Sequence, residues 1–160
     1  MSIIRGFAEL LANQDTDRFL SMTQELMDYS RGNISLQAQE VDVGRWLDRI
    51  IEYLREDLDA SNVVLITRFD HRGPVHIDAD RLRRVVINIA GNAADAMPKG
   101  GRLTISSRVV GDSWELAVTD TGTGIHEQLR PRIVEPFVTS GKDHGTGLGL
   151  AIGRKIVRGH

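Results

Sequence analysis

The stretch from Asp80 to Met97 reads DRLRRVVINIAGNAADAM. At about 100° per residue, Leu82, Val85, Val86, Ile89, Ala93 and Ala96 share one side, so the segment reads as one amphipathic helix with a core-facing stripe. Asn88, Asn92 and Asp95 gather on the neighbouring face, with Arg81 and Arg84 one to two turns earlier on that side. Asn and Asp are poor helix formers, because their short polar side chains compete for backbone hydrogen bonds. A solvated face is better served by Glu, Lys or Gln. Two readings stand at this point: a plain polar face, or oxygen ligands for a hard cation that bridges to phosphates.

The chain has 160 residues, with 20 Lys and Arg against 22 Asp and Glu, for a formal net charge of −2. That length suits one ordinary domain plus a short appendage. The near balance of charge gives no electrostatic footing for nucleic acid. No apolar run reaches transmembrane length and no signal-peptide pattern opens the chain, so no membrane contact and a cytoplasmic location are expected. The absence of cysteine excludes disulfides, thiolate metal sites and a cysteine nucleophile. The histidines, at 71, 76, 126, 144 and 160, lack metal-ligand spacing.

Upstream, Ile3, Ile4, Phe7, Leu10 and Leu11 mark an amphipathic helix that Asn13-Gln14-Asp15 breaks. Asp15 or Asp17 can cap a second helix, with Phe19, Met22, Leu26 and Tyr29 on its apolar face and Arg31-Gly32-Asn33 at its end. Two short helices with broad apolar faces do not bury them alone, so a partner pair, and hence a dimer through residues 1–31, is expected. Residues 32–41 read as a polar linker. Asp42 then caps a helix carrying Val43, Trp46, Leu47, Ile50, Ile51, Leu54 and Leu58. Asn62 opens a strand, VVLITRF, and Gly73-Pro74 leads into a short extended piece, Val75 to Ile77. After the Asp80–Met97 helix, closed by Lys99-Gly100-Gly101, Leu103, Ile105 and Ser107 alternate with Thr104, Ser106 and Arg108 in a strand. Gly111-Asp112 makes a hairpin turn and Trp114 to Thr119 returns. The pattern predicts an α+β fold, a mixed and mostly antiparallel sheet with helices on one face.

The returning strand runs into DTGTGI, Asp120 to Ile125, whose glycines let the backbone take positive φ and approach a ligand closely. The Asp120 carboxylate, fixed at a strand end, is suited to accept a hydrogen bond from an exocyclic amine. Glu135-Pro136-Phe137-Val138-Thr139-Ser140 and a small, polar run to Gly145 follow. GTGLGLAI, Gly145 to Ile152, then opens a last helix, whose N-terminal amides can face phosphate oxygens. A dinucleotide fingerprint needs a strand just before the glycines and an acidic residue about 20 positions later, and a Walker A loop needs Gly-Lys followed by Ser or Thr. Lys142-Asp143-His144 precedes the glycines and Asp143 follows Gly141-Lys142, so neither rival is met.

The order of these segments resembles the GHKL superfamily, and most closely the catalytic ATP-binding domain of bacterial sensor histidine kinases. Asn88-Ile-Ala-Gly-Asn92-Ala is similar to the N box, Asp120-Thr-Gly-Thr-Gly-Ile to the G1 box, Pro136-Phe-Val-Thr-Ser to the F box and Gly145-Thr-Gly-Leu-Gly-Leu to the G2 box. The resemblance covers residues 42–160 and implies a Bergerat-type two-layer α/β sandwich that binds ATP with Mg²⁺. It implies that Asn92 holds Mg²⁺ between the phosphates with Asn88 in support, these two being the catalytic pair, with Asp95 also at the nucleotide. Asp120 reads the adenine amine, Gly122 and Gly124 let the base approach, and Ile125 lies beside them. Thr139, Ser140 and Lys142 belong to an ATP lid spanning Thr139 to His144. Gly145, Thr146, Gly147, Leu148 and Gly149 meet the phosphates. The implied partners are a second copy of the chain and a response regulator receiver domain.

Chemistry separates the branches of the superfamily. Its ATP-hydrolysing members, such as gyrase B, MutL and related chaperones, carry a Glu one turn before the Mg²⁺ asparagine to activate water. Here that position is Asn88, which cannot act as a base, so the residues favour transfer of the γ-phosphate to a histidine on another surface. Asp95 keeps a GHKL ATPase or ATP-gated switch as the rival reading, and a catalytically dead dimerising module is a third. Residues 1–31 are similar to part of a dimerisation hairpin, but the phosphoacceptor box is absent, so the chain is not expected to phosphorylate itself. His126-Glu127-Gln128-Leu129-Arg130-Pro131 imitates that box and reads instead as a short helix after G1. The family continues beyond Gly159-His160 into a closing β-hairpin, so residues 42–160 read as a domain truncated there, with Trp114–Thr119 left as a sheet edge.

Overall fold

Caps and side-chain alternation set the elements of the computed structural model, which describes Met27, residues 35–138 and residues 147–160. In chain order they are β1 (Gln39–Asp42), α1 (Val43–Ala60), β2 (Val63–Phe69), β3 (Pro74–Ile77), α2 (Ala79–Asp95), β4 (Gly101–Val110), β5 (Ser113–Asp120) and α3 (Gly149–Gly159). Asp42 caps α1, its carboxylate accepting from the Arg45 amide at 3.0 Å. Val43, Trp46, Leu47, Ile50, Ile51, Leu54 and Leu58, the helical stripe read from sequence, are all buried. Ser61 and Asn62, the latter at φ 56°, turn the chain into β2.

The main sheet has the order β2-β4-β5, with β2 parallel and β5 antiparallel to β4. A parallel pair requires a crossover, and α2 supplies it. Leu103, Ile105 and Ser107 point into the core from β4, as the alternation predicts. Gly111, at φ 59°, makes the turn into β5, which lies at the sheet's edge. The helices cover the Leu103–Ile105 face, and α3 packs along α2. Ser107, fully buried, is satisfied on both sides: its hydroxyl donates to the His71 carbonyl at 2.9 Å and accepts from Trp114 Nε1 at 2.8 Å. Trp114 meets Trp46 edge to face, the ring centroids 6.2 Å apart.

Four sequence expectations change. Residues 39–41, read as linker, belong to β1, which pairs antiparallel with β3, Gln39 opposite Ile77. The central helix starts one residue earlier than read and ends at Asp95, because Ala96 forms the C-cap and Met97 turns into the core. The buried stripe of α2 runs through Ala90, fully buried, whereas Ile89 and Ala96 are half-buried. Residues 127–134 form successive turns rather than a helix: the Leu129, Arg132 and Glu135 amides each bond three residues back, and Pro131 lacks the amide that a helix would use. The hairpin expected over residues 1–31 lies outside the described residues except for Met27.

α2 is anchored at its start by Asp78, which is 6% exposed. Its Oδ1 accepts from the Arg81 amide at 3.1 Å, capping the helix, while Oδ2 accepts from the Gln37 amide at 2.9 Å. The Arg81 guanidinium lies 3.5 Å from Oδ2. The Asp78 amide donates to His160 Nε2 at 2.9 Å, and His160 Nδ1 lies 2.8 Å from the Ile156 carbonyl. Asp78 therefore ties three places together: its carboxylate holds the segment leading into β1 and the first turn of α2, and its backbone amide holds the last turn of α3. Burial pushes this carboxyl up, but the Gln37 and Arg81 amides and the Arg81 charge together outweigh it and hold it below its ordinary range.

Candidate functional site

The polar face of α2 meets the start of α3. Asn88 is half-buried, and its Nδ2 is buried with no hydrogen-bond partner. An unpaired buried amide donor costs on the order of 1–3 kcal/mol, so Asn88 Nδ2 is available as a donor to a group bound there. The Asn88 carboxamide lies directly on Gly149, the first residue of α3: a Cβ there would stand 2.6 Å from Oδ1 and 2.7 Å from Cγ. One turn on, Gly153 faces Val85, where a Cβ would make ordinary contact at 3.4 Å. The N-cap residue of α3, Leu148, has an apolar side chain that makes no cap hydrogen bond, and the positive end of a helix dipole suits anionic groups.

The loop before α3 is fixed to the segment after β5. Gly147, at φ 66°, presses against the Phe137–Val138 backbone, and its carbonyl accepts from the Phe137 amide at 3.0 Å. Phe137 itself sits at φ 66° with its ring exposed. A bulky side chain in the left-handed region costs about 1–2 kcal/mol, which the surrounding contacts must offset.

At the far end of α2 the chain leaves β5 through Asp120. Its Oδ1 accepts from the Gly122 amide at 2.8 Å, a turn closed by the carboxylate itself. The turn rests on the end of α2: the Thr123 amide donates to the Ala96 carbonyl at 3.1 Å, and a Cβ on Gly122 would stand 2.7 Å from the same oxygen. Gly124, at φ 72°, has open space around its Cα.

Of the residues singled out from sequence, the structure gathers Asn88, Gly147 and Gly149 at the junction of α2 and α3. Leu148 there is fully buried, a packing residue as much as a loop residue. Asn92 is half-buried one turn beyond Asn88, and Asp95 is exposed at the last residue of α2. Asp120 and Gly122 sit at the end of α2, with Gly124 and exposed Ile125 following. Thr139, Ser140, Lys142, Gly145 and Thr146 lie outside the described residues. Sequence reading missed Asp78 and Thr121. An Asp immediately before the helical period is a capping signal that could have found the first; nothing local signals the second.

Residues 77–160 match the family described as histidine kinase-, DNA gyrase B- and HSP90-like ATPase. The histidine-protein kinase AtoS of Escherichia coli K12 is 29% identical over 177 aligned positions, covering 100% of this chain and 29% of AtoS. The chain thus spans about a third or less of the first curated relatives it matches. Among solved structures, the catalytic domain of histidine kinase ThkA is 29% identical with a TM-score of 0.69, covering 77% of this chain and 81% of that one. Full-length ShkA, in complex with AMPPNP, is 26% identical with a TM-score of 0.79, covering 99% of this chain and 34% of that one. The match over residues 77–160 therefore places the chain in the histidine kinase-, DNA gyrase B- and HSP90-like ATPase family, with the fold of a histidine kinase catalytic domain.

Proposed function

We propose that the chain binds Mg·ATP against α2 and the start of α3 and presents the γ-phosphoryl group to a histidine of a dimerisation domain, from which a response regulator receiver domain is served. The observation that carries this reading is Asn88. It stands at the edge of the site, its buried Nδ2 unpaired and its carboxamide against Gly149 in the first turn of α3. A donor and a helix N-terminus side by side suit phosphate oxygens. A carboxamide in this position offers no base to a water molecule, so the residue positions phosphate without promoting hydrolysis.

The donors also fit the metal. Mg²⁺ is bound by few protein oxygens and shares phosphate oxygens, and Asn92, one turn from Asn88, would contribute its carboxamide oxygen. When bound, the ion neutralises charge developing on the transferred group. The chain's own groups do the rest: the Asp120 carboxylate, with Oδ1 held by Gly122, accepts from the adenine amine, and the glycine backbone near Gly147 and Gly149 leaves room for phosphate. AMPPNP, an ATP analogue, is bound in the structure of the ShkA relative, which supports a nucleotide site of this kind.

The test is nucleotide binding followed by transfer. Asn92→Ala is expected to weaken binding of a fluorescent ATP analogue in excess Mg²⁺, and Asp120→Asn to weaken it with or without metal. The chain incubated with radiolabelled ATP and a separate dimerisation domain bearing its histidine is expected to yield acid-labile label on that domain, with little steady-state hydrolysis. Vigorous hydrolysis without transfer would replace this reading with that of an ATPase.

A further inference from the structure

We infer that Thr121 is a positioning residue that sets the base selectivity of the site by holding Asp120 in place. The inference rests on the reading of Asp120 as the acceptor for the adenine amine. The β4–β5 ladder pairs Leu103 with Asp120 as its last register pair. Continued by one step, it would join Arg102 to Thr121 through two backbone bonds. Only one of them forms: the Thr121 amide donates to the Arg102 carbonyl at 3.1 Å. The Arg102 amide instead donates to the Thr121 hydroxyl at 3.0 Å, and that hydroxyl points its own hydrogen toward Met97 Sδ at 3.7 Å.

The side chain thus takes the place of the Thr121 backbone carbonyl in the ladder. Three consequences follow from this substitution. The strand stays pinned up to the residue after Asp120, the carbonyl is released from the sheet, and the chain can swing toward the end of α2. There Gly122 closes on Asp120 Oδ1 and Thr123 bonds to Ala96. Gly101 makes the arrangement possible, since a Cβ on it would stand 2.8 Å from the Thr121 hydroxyl and collide with Met97 Sδ. A hydroxyl is required, and a methyl group of the same shape cannot replace it, because the Arg102 amide would lose its acceptor.

The prediction concerns selectivity and not affinity alone. Inosine triphosphate carries a carbonyl where ATP carries the exocyclic amine, so the ratio of their dissociation constants reads the Asp120 contact directly. Thr121→Val in the full chain is expected to shrink the preference for ATP roughly 3–10-fold, the worth of one hydrogen bond placed or misplaced, while leaving inosine triphosphate affinity near that of the parent. Thr121→Ser, which keeps the hydroxyl, is expected to restore the preference. Equal weakening for both nucleotides, or a preference unchanged in Thr121→Val, would overturn the inference, and a melting temperature measured alongside distinguishes loss of fold from loss of aim. Asp120→Ala serves as the reference: if it leaves the preference intact, the reading of Asp120 itself falls; if it abolishes the preference while Thr121→Val does not, Thr121 alone is wrongly assigned.

Discussion

Replacing Asp78 with alanine removes three contacts at once and tests whether one carboxylate joins the segment leading into β1 to the start of α2. Loss of the helix N-cap costs about 1 kcal/mol, within a range of roughly 0.5–2. The Gln37 amide loses a bond to a charged acceptor, worth about 1.5–3 kcal/mol, and is left without that partner. The Arg81 pair, with the arginine side chain 27% exposed, adds a few tenths at most. Because the contacts share one group, about 3 kcal/mol is a better expectation than their sum. A domain of this size then melts about 10 °C lower. Urea and thermal unfolding of the parent, Asp78→Ala and Asp78→Asn read this directly. The asparagine retains an oxygen for the Arg81 amide and is expected to fall between the two.

The pH dependence follows from the sign. Asp78 is held below its ordinary carboxylate range in the fold. Its contribution is therefore fully present above the unfolded-state value, about 3.9, and is lost as pH falls through the folded value. The stability gap between the parent and Asp78→Asn should accordingly be constant from neutral pH down to about 4 and narrow below it. A gap under about 0.5 kcal/mol at neutral pH, or one that does not narrow in acid, would refute the reasoning.

Two further substitutions probe the site and the core. Gly149→Ala drives a methyl group into the Asn88 carboxamide and is expected to cost about 1–3 kcal/mol by overpacking and to weaken Mg·ATP binding. Adding Asn88→Ala should recover the stability but not the binding, as unfolding curves and nucleotide titration on the double variant would show. Ser107→Ala strips the Trp114 indole of its acceptor in the core and should cost about 1–3 kcal/mol in urea unfolding, leaving nucleotide affinity near that of the parent.

Much of the fold was legible because its signals are local. Leu103, Ile105 and Ser107 alternate, the apolar residues of α1 recur at helical spacing, and Gly111 marks its turn. The site was legible as residue types in order, since Asn88, Asp120 and the glycines each have a chemistry that a solvated loop does not need. What escaped depends on partners distant in sequence. β1 is four residues, QEVD, with no apolar alternation, and becomes a strand only because β3 lies beside it. Gly122 was read as letting the base approach and Gly149 as a phosphate contact; the structure shows them also making room for Ala96 and Asn88. Thr121 was passed over because a threonine after a strand end is ordinary until its hydroxyl is seen accepting from Arg102. Asp78 was missed because the helix was read from Asp80, two residues past the true cap.

The parallel pairing of β2 with β4 bears on how the chain reaches this state. β4 and β5 are joined by a two-residue turn, so they can zip together within microseconds of local search. β2 cannot join them until everything from Asp70 to Gly100, including all of α2, has been laid across the sheet. The loop-closure entropy of that crossover is met before β2 gains its ladder bonds, so β2 docking belongs late on the folding path. Until then the β2-facing edge of β4 stays open, and Val63, Leu65 and Phe69 remain uncovered in a chain that is already half built. The interval between hairpin and crossover is when this domain is most exposed to pairing with another chain.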